Sequence, residues 1–121
     1  MDYEIVIYDT PVLFNPEDAV QVEVLETAYK AIWTDLAELE KNKEPLSGSE
    51  YIRRQCSIFA QFFDSVCGEG TSDKIFRNQK TTISVYENAV VEFLDALPAA
   101  RAASAARRAE RWQKYFPKKK S

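Results

Sequence analysis

The stretch NPEDAVQVEVLETAYKAIWTDLAELEKNK, residues 15–43, decides how this chain is read. Val22, Leu25, Tyr29, Ile32, Leu36 and Leu39 recur at spacings of 3, 4, 3, 4 and 3. That is the stripe of an amphipathic helix lying lengthwise on a neighbour. Asn15 is placed to cap it, Pro16 suits a first helical position, and Glu17 and Asp18 complement the positive end of the helix dipole. At 1.5 Å per residue the helix is expected to be roughly 40 Å long. Val20, Val24 and Trp33 widen the stripe, so part of it is expected to cover a second subunit.

Upstream, Tyr3 to Tyr8 alternates and is β-branched at Ile5, Val6 and Ile7, which reads as a strand. Asp9-Thr10-Pro11 reads as a turn and Val12-Leu13-Phe14 as a second strand, together an N-terminal β-hairpin. Two strands alone are marginal, so the hairpin must pack on helices or offer its edge to another chain.

Downstream, Glu44-Pro45-Leu46-Ser47-Gly48 breaks the long helix, and Ser49 is expected to cap a second one through Cys67. Its stripe is Ile52, Cys56, Phe59, Phe63 and Val66, with Phe62 beside it, and Gly68 ends it. A short helix from Thr71-Ser72-Asp73 carries Ile75 and Phe76. Thr81 or Thr82 opens a further helix with Ile83, Tyr86, Val90, Phe93 and Leu97, which Pro98 is expected to end or kink. From Ala99 to Phe116 large apolar residues are nearly absent until Trp112, Tyr115 and Phe116. Alanine and arginine favour helix, so this reads as an exposed helical arm running into a frayed PKKKS tail. The expected fold class is thus α+β, mostly α: an N-terminal β-hairpin, a helical bundle, and a basic C-terminal helical arm. The expected division is one globular domain over residues 3–98 and an arm over 99–121.

Charge follows the same division. Residues 99–121 hold eight basic side chains against Glu110 alone, a net of +7, whereas residues 1–98 carry −10. An acidic body with a basic end marks an interaction tail. Arg107, Arg108, Arg111 and Lys114 cluster at helical spacing with Trp112, Tyr115 and Phe116 interleaved, and these seven residues are the candidate partner-binding site. The mix suits an acidic protein groove with aromatic anchors, a solubilising tail, or phosphates with stacked bases. The acidic body repels nucleic acid and weighs against the last.

For catalysis the sequence offers little. It has no histidine, which removes Ser-His and Cys-His nucleophiles and histidine metal sites. Cys56 and Cys67, about 16 Å apart on one helix, are too far apart for a disulfide and read as buried structural thiols. Paired carboxylates such as Glu23 and Glu26 read as a solvated face. Gly68-Glu69-Gly70-Thr71 lacks the lysine and the length of a phosphate loop. No enzyme, cofactor or metal is expected. The acidic strand-like start is not a signal peptide, and no apolar run approaches the roughly 20 residues that cross a bilayer, so a cytoplasmic protein is expected.

The ordered set Gln55-Cys56, Phe62-Phe63-Asp64-Ser65-Val66, Gly68-Glu69-Gly70-Thr71 and Lys74-Ile75-Phe76 resembles a family of short tail proteins of tailed phages and prophages, mostly of Firmicutes, similar to tail assembly chaperones. The resemblance extends in layout over residues 3–111, through Val91-Glu92-Phe93-Leu94 and the basic Arg107-Arg108-Ala109-Glu110-Arg111. Its specific motif spans about 22 residues, and Cys67 stands where a larger apolar residue is expected. The resemblance implies a non-catalytic chaperone of tail morphogenesis. Such a protein coats the tape-measure protein, helps recruit tail-tube subunits, acts in the cytoplasm of the bacterial host and leaves before the virion is complete. Homo-oligomerisation fits the role. A phage-encoded inhibitor of a bacterial defence system, acting by protein binding or nucleic-acid mimicry, is the alternative that the acidic body supports. Lys118-Lys119-Lys120 further suggests a slippery adenine run and a longer frameshifted product.

Overall fold

A computed structural model describes residues 1–116; the lysine run at 118–120 lies outside the described residues. The fold is α+β and mostly helical, an N-terminal two-stranded antiparallel hairpin followed by four helices.

Strands β1 (Tyr3–Ile7) and β2 (Thr10–Phe14) pair with Ile7 opposite Thr10 and Tyr3 opposite Phe14. Period-two alternation buries Ile5, Ile7, Val12 and Phe14 on one face and leaves Val6 and Leu13 exposed on the other. The turn is Tyr8-Asp9, one step earlier than the expected Asp9-Thr10-Pro11. Both residues have positive φ, 47° and 63°, as a two-residue turn needs if its twist is to match that of the strands. Tyr8 is held there from outside: its hydroxyl donates to the Val85 carbonyl at 2.7 Å and its ring meets Phe76 edge-on. Pro11 is consequently a strand residue opposite Val6. In that register its missing N–H would have pointed off the open edge, where proline is tolerated.

Helix α1 (Ala19–Lys41) starts four residues after Asn15, and Asp18 is its cap, accepting from the backbone N–H of Val20 and Gln21. Asn15 and Pro16 instead form the turn before it. The Asp18 N–H donates to the Asn15 carbonyl, and the Asn15 side chain accepts from the Glu17 N–H. Helix α2 (Gly48–Cys67) is capped by Ser47, not Ser49, because Glu50 three residues on completes a reciprocal capping box. Gly68 and Gly70, at φ +107° and +88°, turn the chain into α3 (Thr71–Phe76). Asp64 holds that turn, accepting from both the backbone N–H and the hydroxyl of Ser72 at 2.9 and 2.7 Å.

Helix α4 (Ile83–Trp112) is capped by Thr82 and runs straight on in sequence through Pro98, which neither ends it nor divides it. Pro98 lies on the exposed side. There the Leu94 carbonyl, deprived of its N–H partner, can be reached by water. The expected boundary between body and arm moves accordingly. Ala100 and Ser104 are buried, so two more turns past Pro98 stay docked before the helix leaves the body.

The core centres on aromatic rings. Phe93 meets Phe14, Phe62 and Phe63 edge-to-face at 5.8, 5.7 and 5.9 Å, the favoured geometry for ring quadrupoles. Phe76 stacks flat on Tyr86 at 3.8 Å. Helix α2 is the hub. Both α1 and α4 pack on it rather than on each other, and the hairpin closes the far side over α2, α3 and α4.

Candidate functional site

Because α1 and α4 flank α2 without meeting closely, an open trough of about 300 Å³ lies between them. Tyr29, Ile32, Trp33 and Leu36 of α1 form one wall, and Phe59 of α2 contributes to its floor. Val90, Val91 and Leu94 of α4 form the other wall, with Glu87 and Asp95 as the charged lining residues among those described. The lining is thus apolar with a negative edge. Trp33 is 60% exposed, Val91 45% and Tyr29 42%, although Tyr29 belongs to the stripe expected to be buried. Tyr29 and Trp33 sit edge-to-face at 6.3 Å, which makes that wall a preformed aromatic ridge. An apolar trough with few polar groups is what a partner's side chains need for docking.

The seven residues expected to bind a partner fall into two groups. Arg107 and Arg108 face the body, at 3.9 and 3.5 Å from the two carboxylate oxygens of Glu17. Both pairs are solvated and contribute little individually, but together they mark where the arm departs. The Glu17 carboxyl is held below the usual carboxylate range, first by the Ser104 hydroxyl and then by the nearby cations. The Ser104 contact is looser than a full hydrogen bond, since among the described residues Ser104 Oγ has no partner at bonding distance and angle.

Trp112, Tyr115 and Phe116 form the second group with Arg111 and Lys114. The indole meets the Tyr115 ring at 5.7 Å and the Phe116 ring at 5.4 Å. Lys114 Nζ lies 5.4 Å from the Tyr115 centroid, within the range of a cation–π contact. The backbone N–H groups of Tyr115 and Phe116 both donate to the Trp112 carbonyl, curling the end of the chain so that the rings gather. All three rings remain more than half exposed. A basic aromatic knob therefore stands clear of the body.

The cysteines are free thiols. Burial pushes the Cys56 thiol up, and burial followed by the Asp64 carboxylate pushes Cys67 up to about 12. Both shifts oppose the low pKa a nucleophilic thiol needs. Among the described residues no cluster of acidic or cysteine side chains is arranged to hold a metal ion. No helix among them is long and apolar enough to cross a membrane.

Trough and knob are surface features of a small, mostly helical α+β protein. The chain belongs to DUF6673, a family of unknown function whose model matches residues 9–121. No curated protein and no solved structure matches it.

Proposed function

We propose that the chain is a non-catalytic helix-binding protein that shelters amphipathic segments of a larger partner. The apolar trough between α1 and α4 carries this reading. A trough lined by Trp33, Val91 and Leu94 with an acidic edge suits an amphipathic helix with apolar anchors and flanking basic residues. Joined to the resemblance of residues 55–76 to phage tail proteins, the client is the tape-measure protein of a tailed phage. That client is long and prone to aggregate, and a chaperone on it also helps recruit tail-tube subunits. The role belongs to the cytoplasm of a bacterial host, and the protein is expected to be absent from the mature virion.

The test is co-expression with the tape-measure protein encoded downstream, followed by pull-down and a solubility assay. A soluble, co-purifying client that is lost on Val91→Glu supports the reading. A client that stays insoluble with nothing co-purifying removes it, and the inhibitor alternative then becomes the one to pursue.

A further inference from the structure

Among the described residues, the trough and the knob have opposite character. The trough is apolar, aromatic on the α1 side, and edged by Glu87 and Asp95. The knob at the end of α4 is aromatic and edged by Arg111 and Lys114, with Trp112, Tyr115 and Phe116 at 55%, 64% and 71% exposure. The sequence repeats this opposition on a larger scale, with −10 on residues 1–98 and +7 on residues 99–121. Each surface supplies what the other lacks.

The knob has no access to its own trough. One wall of the trough and the base of the knob belong to α4, an unbroken helix from Ile83 to Trp112. Leu94, in the trough wall, and Trp112 are eighteen residues apart on it, which is about 27 Å at 1.5 Å per residue. Ala100 and Ser104, buried between them, hold the intervening helix on the body. The only trough that a folded molecule's knob can enter is that of another molecule.

We propose that the aromatic basic knob of one copy docks in the α1–α4 trough of a second copy. The contact is heterologous: a donor keeps its own trough vacant and an acceptor keeps its own knob free. Such contacts propagate into open strings or closed rings instead of stopping at a symmetric dimer. Full burial of an aromatic side chain covers about 150–250 Å², and Trp112, Tyr115 and Phe116 have only 55%, 64% and 71% of their surface still exposed, which places the interface at the small, transient end of the range. Self-association is accordingly weak, concentration-dependent and, given its charge complementarity, weakened by salt.

The experiment is sedimentation velocity on the full chain over a wide concentration range, at low and at high salt. Wild type is expected to show a weight-average mass that rises with concentration above the 13.9 kDa of one chain and falls back in high salt. Trp112→Ser (knob) and Val91→Glu (trough) are each expected to be monomeric. Mixing these two variants is the decisive step, because one retains an intact trough and the other an intact knob. The mixture is expected to form a species of two chains and nothing larger. Circular dichroism melts confirm that both variants fold, and Trp33→Glu replaces Val91→Glu if that variant does not. A wild type that is monomeric throughout overturns the proposal, as does undiminished association of either variant or a mixture that remains monomeric. Client binding is read separately by the co-expression assay. A monomeric protein that still solubilises its client through Val91 therefore removes the self-docking and leaves the proposed function standing.

Discussion

Replacing Pro98 by alanine should make this protein more stable. Pro98 occupies the interior of a thirty-residue helix and its side chain is exposed, so the substitution gives up no buried packing. Proline in a helix interior costs about 3 kcal/mol relative to alanine, through its missing N–H and the clash of its ring with the carbonyl four residues back. Here that carbonyl belongs to Leu94. Part of the gain is offset, because proline also restricts the unfolded chain, by about 0.4–1 kcal/mol. The net expectation is about 2 kcal/mol of added stability. For a chain of 121 residues the unfolding entropy is about 0.25 kcal/mol/K, scaled from about 2.1 cal/mol/K per residue. The midpoint of thermal unfolding should therefore rise by about 8 °C. Calorimetry on wild type and Pro98→Ala measures the shift, and urea titration supplies an independent value. An unchanged or lowered midpoint would refute the reasoning. It would mean that proline at this position helps to lay Ala100 and Ser104 on the body.

Three further outcomes follow from the packing and the charges. Phe93→Ala removes a fully buried ring from among Phe14, Phe62 and Phe63 and should cost about 3–5 kcal/mol; urea denaturation reads the loss as a lowered midpoint. Because Glu17 has a lowered pKa in the folded chain, folded molecules bind fewer protons there than unfolded ones between the two values. Its stabilising contribution is complete above the unfolded pKa of about 4.3 and disappears as the pH falls through the lower folded value. The protection factors of the backbone amides around Ser104, measured against the intrinsic exchange rate at each pH, should therefore fall on acidification, and Glu17→Gln should flatten that dependence. Finally, Cys56 and Cys67 should react with a thiol reagent at neutral pH far more slowly than a small free thiol and become fully reactive in denaturant. Rapid labelling of native protein would contradict the burial that raises both pKa values.

What was legible in the sequence was periodicity. The alternation from Tyr3 to Tyr8 and the run Val12-Leu13-Phe14 placed the hairpin, and the 3–4 spacing of Phe59, Phe63 and Val66 placed α2, because burial selects large apolar residues at helical intervals. Choices between neighbouring caps were not settled by residue type alone. Asn15 and Asp18 are both good caps, as are Ser47 and Ser49, and the partners three residues on decided between them. The docked stretch beyond Pro98 was invisible because Ala100 and Ser104 are small, and hydrophobic spacing gives no signal where close approach is made by small side chains. The pairing of Arg107 and Arg108 with Glu17 spans about ninety residues of sequence and depends on a fold the local pattern does not encode. The trough was half legible. Trp33 made the stripe of α1 wider than one neighbour needs, whereas Val20 and Val24 lie outside the trough, and its second wall, at Val91 and Leu94, emerged only once α2 was seen to separate α1 from α4.

The bond from Tyr8 to Val85 has a consequence for the order in which the molecule is made. It joins positions 77 residues apart, and the hairpin face it helps to anchor lies on elements that come much later in the chain. The α1–α2 hairpin is made of nearby segments and can form early, since contacts between neighbours close small loops at low entropic cost. Ile5, Ile7, Val12 and Phe14, made before α4, have no complete cover until Phe93 and the rest of that helix have been added. During synthesis these strands are thus sheltered long after they are made, and the short hairpin waits with one greasy face until α4 arrives.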